Sequence, residues 1–149
     1  MGLIRKTVVI IPYQNNKILM QLRDEKQTID YPGNWGFFGG NIEPGEEPIQ
    51  SAKRELYEEI NYETEEMLLL SIDHIFAPDE ILMHSFYCSL SIKVEEINLY
   101  EGFDFGLFTF EEIFSKQLFS TKAKKYYPVI NHPCLEYIIT KFKQEVDFL

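Results

Sequence analysis

Cysteine is scarce in this chain of 149 residues, and the two present, Cys88 and Cys134, have neither CxxC nor metal-ligand spacing. A disulfide framework and a thiolate metal centre are therefore not expected; two buried thiols in a reducing compartment are. Long apolar runs are also missing. No stretch approaches the roughly 18 to 20 residues needed to span a bilayer, and the start, Met1-Gly2-Leu3-Ile4-Arg5-Lys6, lacks a secretory apolar stretch and cleavage site. Lys6 stands where a myristoylation signal needs Ser or Thr. The expected address is cytoplasmic, with no membrane partner. Positive charge is the third deficit: 14 Lys and Arg against 24 Asp and Glu give a formal charge of −10. Such a surface repels a polyphosphate backbone, so long nucleic acid is not an expected partner. A small anionic substrate stays open, because bound divalent ions reverse the local electrostatics.

What is present suits a packed core. Apolar residues make up 45% and aromatics 15% of the chain, and its length fits one domain over residues 1–149. Residues 7–12 and 17–22 are β-rich runs around Asn15-Asn16, a pair that tolerates positive φ, and read as a hairpin. Residues 24–34 carry Asp24, Asp30, Pro32, Gly33 and Asn34 without periodicity and read as a long loop. Residues 35–40 read as a short strand ending in paired glycines. Pro44-Gly45 turns the chain into a helix over residues 48–60, with Pro48 in its first turn and Asn61 as its left-handed cap. Segments 66–76 and 81–94 read as an antiparallel pair, 105–110 as a strand, 111–115 as a small helix and 133–146 as an amphipathic helix. Mixed strands and helices place the fold in the α/β (α+β) class of layered domains.

The helix at 48–60 bears the chemistry. At about 100° per residue, Glu55, Glu58 and Glu59 fall within about 100° of arc on one face, while Ile49, Ala52, Leu56 and Ile60 form a separate apolar stripe. By itself this pattern fits a solvated acidic surface as well as a metal site. Like charges at this spacing, two of them near the helix C-terminus, ask for compensation. Mg²⁺ or Mn²⁺ would supply it, and Arg54 could orient a carboxylate.

The flanking residues carry a stronger signal. Gly40, then Glu46 after five residues, then Arg54-Glu55-Leu56-Tyr57-Glu58-Glu59-Ile60-Asn61-Tyr62 after seven more, resembles the box that defines the Nudix hydrolases. Every charged position of that pattern is matched. Asn61 stands where the pattern has Gly, but Asn is the next best residue for a left-handed cap. Tyr62 stands where an aliphatic residue is usual.

The resemblance implies a Nudix α/β/α sandwich with a mixed sheet. It implies that Glu55, Glu58 and Glu59 bind Mg²⁺ or Mn²⁺, assisted by Glu46 and the Gly40 carbonyl, with Arg54 holding the glutamates in register. The implied reaction is water attack on phosphorus in a nucleoside diphosphate linked to another group: a nucleoside triphosphate, oxidised or not, a nucleotide sugar or ADP-ribose. Glu101, in Tyr100-Glu101-Gly102, is the candidate for a further catalytic acid, with an ordinary turn residue as the competing reading; Glu95 and Glu96 are weaker candidates. Arg23, Trp35 and Phe37 are candidates for substrate binding. A surface role for Arg23 and a core role for the aromatics, Phe38 included, compete with that. His74, His84 and His132 are not expected to be ligands. The alternatives are a non-catalytic Nudix domain that senses a nucleotide or binds a protein and, less favoured, an isopentenyl diphosphate isomerase. A homodimer is left open.

Overall fold

The computed structural model describes residues 3–26 and 31–146. Among these, seven strands form one mixed sheet. β1 (Arg5–Gln14) and β2 (Lys17–Leu22) are the expected hairpin, joined by Asn15 and Asn16 at φ 51° and 62°, the conformation a two-residue turn of this kind demands. They pair only near the turn, at Tyr13↔Ile18 and Gln14↔Lys17, and then diverge.

Segment 35–40 fills the gap between them, and here the structure departs from a single strand. β3 (Trp35–Gly36) pairs with β2, whereas β4 (Phe38–Asn41) crosses to β1, with the change at Phe37. Gly39 makes the crossing possible: its φ is +152°, and a Cβ there would lie 2.1 Å from the Val8 carbonyl oxygen. Helix α1 (Pro48–Ile60) follows as expected.

β5 (Leu68–Ile75) and β6 (Ile81–Ser89) form the expected antiparallel pair, and β6 runs parallel to β1. β6 ends earlier than residue 94. β1 stops at Gln14, so the next carbonyls have no strand to pair with, and the Gln14 amide donates to Leu90 O and Ile92 O instead, at 3.0 and 2.7 Å. β7 (Asp104–Phe108) pairs with β2 and stops short of Phe110, which already belongs to helix α2 (Phe110–Phe114). The reason is a capping box: Glu112 N donates to Thr109 Oγ1 at 3.1 Å and Thr109 N to Glu112 Oε1 at 2.9 Å. A second hairpin, β8 (Gln117–Ser120) and β9 (Lys125–Pro128), was not foreseen. Helix α3 (Pro133–Val146) closes the fold.

The sheet is filled on both faces. On one, Val8, Ile10, Leu19 and Phe38 pack against Ala52, Leu56 and Ile60 of α1. On the other, Ile11, Ile18, Met20, Leu22 and Trp35 form a core with Leu135, Ile138, Ile139 and Phe142 of α3. Phe142 stands edge-on to Tyr13 and Tyr87, with centroids 5.3 and 5.5 Å apart; truncating such a ring costs about 3–5 kcal/mol. The result is an α+β sandwich with the sheet in the middle. Among the described residues no helix is long and apolar enough to cross a membrane.

Candidate active site

α1 brings its carboxylates to the sheet because its apolar stripe is pinned beneath it and both its ends are fixed. At the start, Glu47 N donates to Gln50 Oε1 at 2.9 Å. At the end, Asn61 adopts the left-handed conformation at φ 55°, ψ 35°, its N–H donating to Tyr57 O at 2.8 Å. Tyr62 explains itself by a tether: its hydroxyl donates to Ser89 O at 3.1 Å and accepts from Ser91 N at 3.0 Å, securing the chain beyond α1 to the end of β6.

Arg54 is the hub of the exposed side. Its Nε and Nη2 hold both oxygens of Glu46, at 2.7 and 3.0 Å. Nη1 donates to Glu55 Oε1 at 3.0 Å and Glu58 Oε2 at 3.2 Å, and Nη2 also donates to Asn41 O at 3.1 Å. This fork, helped by the Glu43 N–H, holds the Glu46 carboxyl down at about 2. With both oxygens engaged, Glu46 acts on the other carboxylates through Arg54.

Glu59 is different in kind, only 2% exposed. Gln21 Nε2 donates to its Oε1 at 3.0 Å and Gly39 N to its Oε2 at 3.1 Å. Burial nevertheless pushes its carboxyl up to about 8, and the charges of Glu55 and Glu101 push the same way. Glu55 is raised by burial too, against the pull of Arg54, with Glu58 and Glu101 adding to the rise. Glu101 thus lies close enough to act on both. Its loop is anchored by Tyr100 N, which donates to Glu59 O at 2.8 Å. Gly40 gives Glu55 its place: a Cβ on Gly40 would lie 2.4 Å from Glu55 Oε1. Among the described residues no three acidic, His or Cys side chains are already converged as a ready ligand set; the carboxylates are turned onto Arg54, Gln21 and Gly39. Four mutually repelling carboxylates, two of them partly or wholly desolvated, fit a divalent cation by charge and by donor type.

The NUDIX domain model matches residues 3–130. The chain belongs to the NUDIX family. Solved structures agree in fold. A NUDIX hydrolase from Nitrosomonas europaea matches with a TM-score of 0.71 at 20% identity, covering 95% of this chain and 90% of that one. The NUDIX domain of Shewanella oneidensis NrtR, solved with ADP ribose, gives 0.71 at 15%, covering 98% and 90%. An Ap4A hydrolase from C. elegans gives 0.62 at 16%, covering 96% and 98%. No match was found among curated proteins.

The remaining candidates of this NUDIX domain separate by location. Trp35 is wholly buried; its Nε1 donates to Leu118 O at 3.0 Å and its ring meets Phe108 edge-on at 4.9 Å. The indole is core, which removes it from the substrate-binding set, and Phe38 is equally buried under α1. Phe37 and Arg23 instead line a cleft of about 690 Å³ bordered by α3, together with Arg5, Tyr31, Met83 and Ile138. Gly39, Gly40 and Asn41 also line it, so β4 separates this cleft from the carboxylates. The 24–34 loop reaches the cleft through Tyr31; its residues 27–30 lie outside the described residues. His132, not expected from the sequence to be a ligand, lines the cleft too. Gln21 was missed altogether. Its signal was a lone amide inside the apolar run Ile18-Leu19-Met20-Gln21-Leu22. Cys88 and Cys134 are both free, and burial pushes the Cys88 thiol up to about 12.

Proposed function

We propose that this NUDIX domain is a divalent-metal-dependent pyrophosphohydrolase acting on a nucleoside diphosphate linked to another group. One observation carries the reading: Glu101, on a loop distant in sequence, lies close enough to add to the burial that raises Glu55 and Glu59 of the helix, with Glu58 beside Glu55. Glu55, Glu58 and Glu59, with the Gly40 carbonyl, would hold Mg²⁺ or Mn²⁺. The bound metal would polarise the phosphoryl oxygens and lower the pKa of an attacking water. Arg54 keeps the carboxylates apart and in register. Glu101, outside the Arg54 fork, would take a proton from the attacking water.

The cleft across β4 supplies the binding half. Phe37 offers a ring and Arg23 a guanidinium for the ligand's aromatic and anionic parts, and its volume suits a nucleotide. Nucleoside triphosphates, oxidised ones included, nucleotide sugars and ADP-ribose are the candidate substrates; relatives in complex with ADP ribose or named for Ap4A support that class.

The test is a screen of these compounds with Mg²⁺, using wild type and Glu58→Gln. Turnover of at least one, lost in the variant, is expected. Turnover of none, or undiminished turnover in Glu58→Gln, overturns the proposal; tight binding without turnover would favour a nucleotide sensor.

A further inference from the structure

Beyond Lys17, β2 is buried along both faces, and Gln21, 5% exposed, is the polar residue of that buried run. A buried amide is costly unless its groups are satisfied, and this one is used in three directions. Its Nε2 donates to the Phe37 carbonyl and to Glu59 Oε1, each at 3.0 Å. Phe37 is where β3 gives way to β4, and two residues on, the Gly39 N–H donates to the other oxygen of the same carboxylate. On its far side Gln21 rests against the turn after Glu101: a Cβ on Gly102 would lie 2.9 Å from Gln21 Oε1. Gly102, at φ +91°, leaves that space open. One side chain therefore touches the segments that carry Glu59, the Gly39-Gly40 pair and Glu101.

We propose that Gln21 is the positioning residue of the metal site, fixing the Glu59 carboxylate against Gly39 and seating the Gly102 turn so that Glu101 faces Glu55 and Glu59. The proposal rests on the metal-dependent reading above. An amide suits the task better than a cation, because it orients a carboxylate by hydrogen bonding without neutralising the charge that a metal needs. An apolar side chain would fill the same volume and leave Glu59 Oε1 without its donor. Partners that orient a ligand in this way are typically worth about 10- to 100-fold in metal affinity.

Mn²⁺ binding to the full chain, without substrate, reads this directly by electron paramagnetic resonance of free Mn²⁺. Gln21→Met keeps the volume and removes the donor; it is expected to weaken Mn²⁺ binding about 10- to 100-fold while circular dichroism shows a folded protein. The Mn²⁺ concentration for half-maximal turnover should rise in step, with substrate KM at saturating metal unchanged. Should Gln21→Met not fold, Gln21→Asn, too short to span Phe37 and Glu59, is read the same way. A folded variant that binds Mn²⁺ as tightly as wild type overturns the proposal. A wild type that binds no Mn²⁺ overturns it together with the hydrolase reading, whereas Gln21-dependent Mn²⁺ binding without nucleotide turnover sinks only the latter.

Discussion

On the α1 face of the sheet, ionisable groups crowd together: Glu46, Arg54, Glu55, Glu58 and Glu59, all from one short stretch of chain, with Glu101 brought up from a loop. On the α3 face, the cleft is assembled from β1, β4, β6 and α3, with apolar walls such as Met83 and Ile138 and charged linings in Arg5, Arg23 and Asp79. The two meet at β4. The first region is built from like charges that Arg54 compensates only in part, and they are ordered by their spacing along one helix. The second is shape and apolar surface with a few charges, gathered from far apart in the chain; in the proposed function it selects the ligand.

Variants on the two faces should therefore fail differently. The largest effect is expected from Glu55→Gln, which removes a proposed metal ligand: kcat should fall on the order of 10²- to 10⁴-fold, measured at saturating substrate. Arg23→Ala, on the cleft side, should raise KM about 10- to 100-fold, from the roughly 1.5–3 kcal/mol of a hydrogen bond to a charged group, and leave kcat near wild type. If Arg23→Ala lowers kcat and spares KM, the division between the faces is wrong.

pH sharpens the contrast. In the metal-free protein burial pushes the Glu59 carboxyl up to about 8, while in the unfolded chain it titrates at its ordinary 4.5. The folded state then binds more protons than the unfolded one, so this group's contribution makes stability fall as pH rises from about 4.5 to about 8. Thermal melts across that window should show the decline in wild type and a flatter profile in Glu59→Gln; identical profiles would refute the burial argument. The smallest effect belongs to Tyr62→Phe, which removes the tether to Ser89 and Ser91 and should cost about 1 kcal/mol of stability in urea melts, with kcat unchanged.

The sequence made α1 and its charges readable because spacing alone orders them: Gly40, Glu46 and Arg54 needed no distant partner to be recognised, and Asn61 announced its cap by residue type. Residue patterning made the layered mix of strands and helices readable, and the sandwich itself followed from the resemblance that the box carries. Where long-range contacts decide, the reading stopped. Trp35 could be stacking platform or core until the Leu118 carbonyl claimed its N–H. The β8–β9 hairpin is polar and lysine-rich in sequence, and what holds it lies elsewhere, in Trp35 and in Asp104, whose Oδ2 accepts from Ser120 Oγ at 2.7 Å. Gln21 drew no notice inside its β-rich run, because the Glu59 carboxylate it meets is 38 residues away. The Thr109–Glu112 capping box, by contrast, was present in the residues and marks the end of β7.

The central claim is that a divalent ion binds on the α1 face, rather than anywhere among the other acidic residues. Backbone amide NMR spectra of the labelled protein, titrated with substoichiometric Mn²⁺, test it most directly. Paramagnetic broadening should erase the signals of Gly39, Gly40, Glu55, Glu58, Glu59 and Glu101 first and leave those of α3 intact. Broadening centred on Glu63, Glu65 and Glu66, or spread evenly over the surface, would contradict the account.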